Sequence, residues 1–245
     1  MRAFFMTTYY SAKKNTWKRP PRFFYAEDGL ISFKNCDFLD DPVFKASYER
    51  GQTAAGHDYG WKWRVHVGLW AASQAVRLHG DFIECGVNRG FLSSAVMHHL
   101  CWNQLNKRFY LLDTFCGLDE DQLSNKEKST VGKLYAEAYP DCYEQVKKNF
   151  AEFKNVRIIR GSIPGSLSCV DTDYVSYLSI DMNCVQPEIS TLSFFWDKLI
   201  KGAIVLFDDY GHRGHEMQKY AIDAFVQSKG TQVLSLPTGQ GLLLI

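Results

Sequence analysis

The sequence predicts an α/β fold with a doubly wound, mostly parallel sheet and one antiparallel strand at a C-terminal hairpin. Short apolar segments alternate with segments of helical length from residue 61 onwards, which is typical of βαβ units. The segment 203–207 is continuously apolar, as expected of a strand buried on both faces. The last two strands are joined only by residues 237–240, and so short a link makes a hairpin rather than a parallel crossover.

Each element follows from its local pattern. The segment 61–75 is predicted to be helical, because Val65, Leu69 and Ala72 fall on one stripe. The remaining predicted helices are 90–101, 142–153, 187–199 and 214–228. The predicted strands are 81–85, 109–112, 156–159, 174–180, 203–207, 232–236 and 241–245.

Residues 1–60 differ from the domain predicted for 61–245. They are rich in aromatic residues, carry a basic run over 13–22, and show no period of 2 or 3.6. We interpret them as an N-terminal arm or cap on the domain, the alternative being a partly ordered terminus. An aromatic arm also suits a contact between subunits, so a homo-oligomer is one alternative for the assembly.

Composition narrows the class of protein. The chain has 245 residues, 46% of them apolar, which indicates a globular fold rather than a disordered chain. Its net charge of +1, from 28 basic and 27 acidic side chains, argues against a nucleic-acid partner. No apolar run reaches the roughly 18 residues of a membrane span, and the start does not resemble a secretory signal. Seven cysteines without a Cys-x-x-Cys pair suit free thiols, so we expect a cytoplasmic location.

The connection between the second strand and its helix, residues 114–141, is long for such a link. It is charged, and it ends with Tyr135, Tyr139 and Pro140. A long loop at the ligand-binding edge of a sheet is a candidate lid over the site. The alternative is a solvated insertion that contains a helix.

The first strand of the predicted domain ends in a glycine turn with an acid just ahead of it. Glu84 precedes Gly86, and Gly90 follows four residues later. The dinucleotide fingerprint G-x-G-x-x-G is incomplete, because its middle glycine is missing, and a carboxylate here would repel a pyrophosphate. S-adenosylmethionine has no phosphate and carries an ammonium, which Glu84 would attract. The turn therefore favours this donor, although the two glycines also suit close helix–strand packing alone.

The next two strands supply candidates for the rest of the donor. Asp113 ends the second strand, where an acid can accept hydrogen bonds from both ribose hydroxyls of an adenosine. The same feature serves NAD, and an acid at a strand end also occurs as a simple cap. Gly161 and Ser162 follow the third strand and form a small turn with room for the edge of an adenine.

Three carboxylates are expected to converge where the fourth and fifth strands end. They are Asp181, Asp208 and Asp209. Because clustered carboxylates raise one another's pKa, a hard divalent cation, most simply Mg²⁺, would relieve the repulsion. Such an ion can orient the hydroxyls of a substrate and ease the loss of a proton. The alternative is that Asp208 and Asp209 cap the following turn.

Two histidines follow these acids. His212 is the first choice for a general base that takes a hydroxyl proton, with His215 and Asp181 as further catalytic candidates. The alternative is that the histidines belong to an exposed loop. The hydrolase motif G-x-S-x-G and the zinc motif H-E-x-x-H are both missing.

Three motifs together resemble the class I S-adenosylmethionine-dependent methyltransferases, and most closely the macrocin O-methyltransferase group, which methylates sugar hydroxyls. These motifs are Glu84-Cys85-Gly86-Val87, Asp113-Thr114-Phe115-Cys116-Gly117-Leu118 and Asp208-Asp209-Tyr210-Gly211. The resemblance implies a Rossmann-like methyltransferase sheet. It implies roles at the methionine end for Glu84 and Gly86, at the ribose for Asp113, at the adenine for Ser162, and as Mg²⁺ ligands for Asp181, Asp208 and Asp209.

One position departs from the group, which often has a second acid two residues after the first aspartate of the fourth strand. This chain has Asn183 there. An asparagine can ligate a metal through its carbonyl oxygen but cannot act as a base. The departure leaves the identity of the base open.

The sequence thus predicts an O-methyltransferase that acts on a hydroxyl of a small molecule, such as a sugar of a glycan or natural product, with Mg²⁺ assisting. An NAD-dependent oxidoreductase of Rossmann type is one alternative, which the missing middle glycine and Glu84 oppose. A second is a non-catalytic member that only binds cofactor. A nucleic-acid methyltransferase is disfavoured by the balanced charge and by the lack of an Asn/Asp-Pro-Pro-Tyr motif.

Overall fold

A seven-stranded sheet forms the centre of the computed structural model, which describes residues 24–129 and 139–245. The strands in these ranges are β1 (Tyr25–Glu27), β2 (Leu30–Ser32), β3 (Asp81–Cys85), β4 (Phe109–Asp113), β5 (Val156–Arg160), β6 (Val175–Ile180), β7 (Leu199–Phe207), β8 (Leu234–Ser235) and β9 (Gly241–Leu244). The order across the large sheet is β5-β4-β3-β6-β7-β9-β8. Strands β3 to β7 are parallel and β9 runs antiparallel to β7, which confirms the predicted doubly wound sheet.

Helices cover both faces of the sheet. They are α1 (Pro42–Ala55), α2 (Lys62–Ala75), α3 (Phe91–His99), α4 (Tyr143–Phe150), α5 (Val185–Phe195) and α6 (Glu216–Ser228). Helices α2 to α6 lie where the sequence predicted them, with ends that differ by up to about four residues, as helix boundaries commonly do. Helix α1 was not predicted, because its apolar residues show no clear helical period.

The ends of α1 nevertheless carry recognisable signals. The side chain of Asp41 accepts a hydrogen bond from the Val43 amide, and Pro42 occupies the first turn. The helix ends at Gly56, which has a φ of +72°. Near its middle, a Cβ added to Gly51 would lie 2.7 Å from the Phe91 ring, so the glycine lets α1 pack closely on α3.

Two hydrophobic cores lie on opposite faces of the sheet. One contains Phe82, Phe109 and Tyr177, packed beneath α1, α2 and α3. The other contains strand residues such as Ile83 and Leu178, packed beneath α5 and α6. Because neighbouring residues of a strand face opposite cores, the central strands are apolar throughout. Each such large side chain stabilises the fold by about 1.5–3 kcal/mol through burial.

The described part of the N-terminal region, residues 24–60, is built onto the domain. The carbonyl oxygen of Ala54 accepts hydrogen bonds from Gln145 Nε2 at 2.9 Å and Asn149 Nδ2 at 2.8 Å. The carbonyl oxygen of Ala55 accepts one from Arg89 Nη1 at 3.0 Å. These contacts satisfy the last carbonyls of α1. Residues 1–23 of the arm or cap predicted for 1–60, which carry the basic run and many of the aromatic residues, lie outside the described residues.

The long connection after β4 is described over 114–129 and 139–141. It contains a 3-10 turn, Glu120–Gln122, and an α-helical turn, Asn125–Glu127, which is closed by a capping box between Ser124 and Glu127. Glu127 Oε1 also accepts a hydrogen bond from the Val185 amide at 2.8 Å, which ties this connection to the start of α5. Residues 130–138, where Tyr135 lies, are outside the described residues, so the lid remains a prediction.

Two general features complete the fold. All seven cysteines lie in the described ranges, and none of them forms a disulfide bond there. Among the described residues, no helix combines the length and the apolar character that crossing a bilayer requires.

Candidate active site

The glycine turn after β3 is shaped by close packing. Gly86 has a φ of +87°, and a Cβ added there would lie 1.7 Å from the carbonyl oxygen of Asp181. Gly90 has a φ of +83°, and its added Cβ would lie 2.5 Å from the ring of Phe150. Both positions therefore require glycine, because of the left-handed backbone and because of the space. The turn carries the chain from β3 into α3.

Glu84 lies directly before this turn and is 4% exposed. The hydroxyl of Ser93 donates a hydrogen bond to Glu84 Oε2. Burial, together with the carboxylates of Asp208 and Asp113, raises the pKa of Glu84 to about 8 against the lowering effect of the Ser93 hydrogen bond. Glu84 is therefore mostly protonated at neutral pH, and an arriving cation would favour its ionised form.

Asp113 at the end of β4 fixes two turns. Its Oδ2 atom accepts hydrogen bonds from the amides of Val87 at 2.6 Å and Asn88 at 2.7 Å. Its Oδ1 atom accepts one from the Phe115 amide at 2.7 Å. The Thr114 hydroxyl also lies 3.2 Å from Oδ1, but its single proton has a nearer acceptor in the Gly117 carbonyl oxygen at 2.5 Å. Because a carboxylate offers about four acceptor positions, the three amides leave room for a further donor, such as a ribose hydroxyl. Asp113 thus holds the glycine turn in place from the neighbouring strand.

Three carboxylates meet at the ends of β6 and β7, as predicted. Oxygens of Asp181, Asp208 and Asp209 all lie within 4.8 Å of one another. Burial and the carboxylates of Asp208 and Asp209 raise the pKa of Asp181 well above its usual range. Burial would also raise the pKa of Asp209, but the hydrogen bond to His212 and the nearby His215 hold it below its usual value. Asp209 Oδ2 is buried with no hydrogen-bond partner, so the oxygen-only set fits a hard divalent cation.

Asp208 is already engaged by two protein donors. Arg64 Nη1 donates to Asp208 Oδ2 at 2.6 Å, and Gln240 Nε2 donates to Asp208 Oδ1 at 3.2 Å. Arg64 also forms a bidentate pair with Asp28, with both nitrogen–oxygen distances at 2.7 Å. The sequence did not single out these three partners. An arginine on a helix is usually exposed, and no local pattern marks one that is buried beside a distant acid.

The two candidate histidines lie behind Asp209. His212 Nδ1 is 3.1 Å from Asp209 Oδ1, and this hydrogen bond raises the pKa of His212. Its ring packs on the last loop, where a Cβ added to Gly239 would lie 2.2 Å from His212 Nε2. His215 is buried, with Nδ1 2.7 Å from Gln218 Oε1 and 3.5 Å from Asp209 Oδ2. Both histidines therefore orient Asp209.

A cavity of about 300 Å³ joins the glycine turn to the acidic cluster. Its walls contain most of the predicted site residues, namely Glu84, Gly86, Asp113, Gly161, Ser162, Asp181 and Asp208. Gly90, Asp209, His212 and His215 are not among its lining residues. Further lining residues that the sequence did not indicate include Tyr59, Trp61, Arg64, Met182 and Gln240. Asn183, in the left-handed conformation at a φ of +60°, also lines it.

The same cavity thus contains the buried carboxyl of Glu84, the turns after β3 and β5, and acids of the cluster. Concave sites with a few convergent polar groups are typical of small-molecule binding. One end suits a donor with a positive charge, and the other suits a polar acceptor or a cation. The cavity can therefore bring two small molecules together.

The chain is similar to known proteins in sequence and in fold. The sequence model of the family described as Macrocin-O-methyltransferase (TylF) matches residues 70–233. A search of curated proteins finds no match to the chain.

Solved structures share the fold. The structure of the O-methyltransferase NovP superposes with a TM-score of 0.64 at 19% identity, covering 74% of this chain and 78% of that one. CalS11, described as a calicheamicin methyltransferase, gives 0.60 at 13% identity, covering 85% and 88%. A structure of CalS11 without ligand, described as TDP-rhamnose 3'-O-methyltransferase, gives 0.55 at 13% identity, covering 85% and 89%. At these identities the likeness shows the fold alone.

Proposed function

The chain belongs to the macrocin-O-methyltransferase family, and is therefore an S-adenosylmethionine-dependent O-methyltransferase; on this basis we propose that it methylates a sugar hydroxyl of a glycan or natural product, with Mg²⁺ assisting. The observation that carries the proposal is the single cavity lined by both Glu84 and the carboxylates of Asp181 and Asp208. Donor and acceptor would meet there, so that the sulfonium methyl and the acceptor oxygen are aligned.

The donor would lie along the ends of β3, β4 and β5. Glu84 would receive the ammonium of the methionine moiety, and Asp113 the ribose hydroxyls. Gly86 would let the backbone approach the donor closely, and Gly161 and Ser162 would border the adenine. Gly90 supports this arrangement from outside the cavity, since its packing on Phe150 sets the direction of α3.

The acidic cluster would hold the cation. Asp181, Asp208 and Asp209 would supply oxygen ligands, and the buried Asp209 Oδ2, which accepts no hydrogen bond, supports this assignment. A bound Mg²⁺ would act as a Lewis acid and lower the pKa of an acceptor hydroxyl. His212 and His215 would keep the carboxylate of Asp209 ionised and oriented.

Proton removal from the acceptor is assigned to Asp181. It is the only one of the three candidate catalytic residues that lines the cavity, so its oxygen that does not ligate the cation would accept the proton. His212, the first choice from the sequence, has its Nε2 against Gly239 and would act through Asp209. Asn183 Nδ2, 3.4 Å from Asp181 Oδ1, would help to orient this carboxylate.

The acceptor class rests on the fold relatives and on the cavity. NovP is an O-methyltransferase, and CalS11 is described as acting on TDP-rhamnose. The rings of Tyr59 and Trp61, which stack on each other with centroids 4.2 Å apart, also line this cavity and would border the acceptor. The NAD-dependent alternative is not retained, because family membership and the buried Glu84 both oppose it. Cytoplasmic location, the lack of a nucleic-acid partner and a homo-oligomeric assembly stay predictions from the sequence.

The test combines binding and turnover. Calorimetry should show that S-adenosylmethionine and S-adenosylhomocysteine bind, and methyl transfer should be detected across a panel of nucleotide sugars and glycosylated natural products. Asp208→Asn should abolish turnover while it leaves donor affinity within a few fold, whereas Asp173→Asn, at an exposed site, should change neither. Turnover that survives in Asp208→Asn, or that EDTA leaves unchanged, would remove the metal from the proposal. Turnover restricted to acceptors without a sugar would remove the acceptor class.

A further inference from the structure

We propose that Arg64 and Asp28 set the affinity of this site for its divalent cation, because Arg64 competes for Asp208 and Asp28 draws Arg64 away from it. The inference rests on the proposed function, since it takes the cluster of Asp181, Asp208 and Asp209 as the metal site. Neither Arg64 nor Asp28 would ligate the ion. Both would act through Asp208 as positioning residues.

The guanidinium of Arg64 is fixed from three sides. Asp28 receives two parallel hydrogen bonds from Nε and Nη2, and Asp208 receives one from Nη1. The indole ring of Trp61 covers the group, with Cζ 4.7 Å from the ring centroid. The side chains of Arg64, Asp28 and Asp208 are only 11%, 16% and 14% exposed, so their mutual charges are weakly screened.

The two neighbouring acids differ in what they can offer a cation. Both oxygens of Asp208 already accept hydrogen bonds, from Arg64 and from Gln240. In contrast, Oδ2 of Asp209 is buried and accepts no hydrogen bond, and His215 Nδ1 lies 3.5 Å from it. An ion that enters the cluster can therefore use Asp209 directly, but it must share Asp208 with a fixed positive charge. Since an arginine stays protonated in proteins, this repulsion persists at every working pH.

Asp28 offsets that repulsion. Its carboxylate binds the edge of the guanidinium formed by Nε and Nη2, which Asp208 does not contact, in the strong bidentate geometry. It therefore competes with Asp208 for the arginine and adds a negative charge near the site. Removing Asp28 would leave Arg64 with Asp208 as its remaining carboxylate partner among the contacts described above, which would weaken metal binding.

This network brings the N-terminal hairpin into the active site. Asp28 lies in the turn between β1 and β2, at a φ of +49°. The same hairpin is held on the start of α2 by an ion pair of 2.6 Å between Glu27 and Lys62, and by a hydrogen bond from the Tyr25 hydroxyl to the Gly60 carbonyl. A segment with no metal ligand of its own would thus tune how tightly the catalytic cation binds.

The test measures Mn²⁺ binding to the full chain without donor or acceptor, by the electron paramagnetic resonance signal of the free ion. Arg64→Gln should raise the affinity for Mn²⁺ about tenfold or more, because one unit of nearby positive charge is removed. Asp28→Asn should lower it about threefold or more, because the offsetting negative charge is lost. The opposite directions distinguish this effect from simple damage to the fold.

Matched controls use the second ion pair of the hairpin. Lys62→Gln and Glu27→Gln make the same two charge changes on the same segments, but neither residue contacts Asp208. Each should leave the Mn²⁺ affinity within about twofold. Thermal unfolding in EDTA checks the fold of every variant, and Arg64→Gln should recover more stability on addition of Mn²⁺ than the native chain does.

The outcomes separate the inference from the function on which it rests. If neither the native chain nor Arg64→Gln binds Mn²⁺ at millimolar concentration, the metal site itself is wrong and the inference falls with it. If the native chain binds Mn²⁺ and Arg64→Gln binds it equally well, only the inference is overturned. It is also overturned if Lys62→Gln matches Arg64→Gln, since a general charge effect would then suffice. Should Arg64→Gln fail to fold, a rise in affinity in Asp28→Asn overturns the inference on its own.

Discussion

The hydroxyl of Ser93 donates its hydrogen bond to Glu84, and the two buried side chains thereby link β3 to the first turn of α3. This hydrogen bond holds the carboxyl at the start of the glycine turn. It lowers the pKa of Glu84, whereas burial raises it. The balance leaves the pKa of Glu84 at about 8, within reach of physiological pH. Binding of a cationic donor should therefore be coupled to a proton.

We expect the affinity for S-adenosylmethionine to rise between about pH 5.5 and pH 7.5, below the range in which an α-amino group loses its charge. Before the donor binds, Glu84 is protonated below its raised pKa, and the ammonium of the donor favours the ionised form, so binding releases a proton. Calorimetry in buffers of different ionisation heat should show release that approaches one proton at pH 7. Glu84→Gln should bind more weakly and release none. The same pH dependence in that variant would contradict the assignment.

Replacement of Gly86 should be far more damaging than its small size suggests. The added Cβ would overlap the Asp181 carbonyl at 1.7 Å, and the left-handed backbone adds strain. We expect Gly86→Ala to lose more than about 3 kcal/mol in the free energy of unfolding, or to abolish donor binding. Gly230→Ala is the control, because its φ is +77° but nothing lies within 4 Å. Its cost should be only about 1 kcal/mol of strain, measured by urea unfolding.

Asp113→Asn should loosen the glycine turn. An amide nitrogen cannot accept a hydrogen bond, so one or two of the amides of Val87, Asn88 and Phe115 would lose their partner. We expect a loss of about 1–3 kcal/mol in stability and a fall of more than about tenfold in donor affinity. Asp41→Asn provides the comparison, since Asp41 caps α1 through one amide and asparagine caps a helix equally well. Equal effects in the two variants would argue against the turn as the cause.

Glu188 gives a prediction about stability and pH. Burial raises its pKa to about 8, and Gln218 Nε2 donates to its Oε1 at 2.9 Å. Because the folded pKa lies above the unfolded value of 4.5, this group binds more protons in the folded state. The ionisation of Glu188 therefore lowers the free energy of unfolding as pH rises from about 4.5 to about 8, by at most about 1.4 kcal/mol per pH unit.

Glu188→Gln should remove that part of the pH dependence, because glutamine keeps the carbonyl acceptor and does not ionise. Urea unfolding at pH 5.5 and 7.5 should show a smaller fall in stability for the variant than for the native chain. Glu144→Gln, at a side chain that is 72% exposed, should leave the slope unchanged. A native slope in Glu188→Gln would mean that the carboxyl is already ionised in the folded chain.

Much of the fold, and the meeting of the residues proposed to bind the donor, could be predicted from the sequence. Strands such as Asp81–Cys85 and Phe109–Asp113 are short apolar runs that end in an acid or a glycine turn, and parallel strands bring these ends to one edge. Their register places Glu84 and Asp113 beside the same turn. The acidic cluster follows in the same way from the ends of β6 and β7.

The surroundings of the acidic cluster were harder to predict from the sequence, because they depend on contacts between segments that are distant in the chain. Arg64 and Asp208 are 144 positions apart, and Arg64 and Asp28 are 36 apart. Neither pair has a local signature, since each arises only when the hairpin and α2 settle on the sheet. The position of His212 was equally hidden, because its ring is directed by the close approach of Gly239 from the last loop.

The carbonyl end of α1 also bears on how the protein can be divided. Its last carbonyl oxygens accept hydrogen bonds from Arg89 in the glycine turn and from Gln145 and Asn149 in α4. A fragment that began at residue 61 would lack α1, so these donors would lose their hydrogen-bond partners and Phe91 would be exposed where Gly51 now packs on it. We therefore expect the folded unit to include this helix, so that a fragment divided at the change in composition near residue 60 would lose part of its interior.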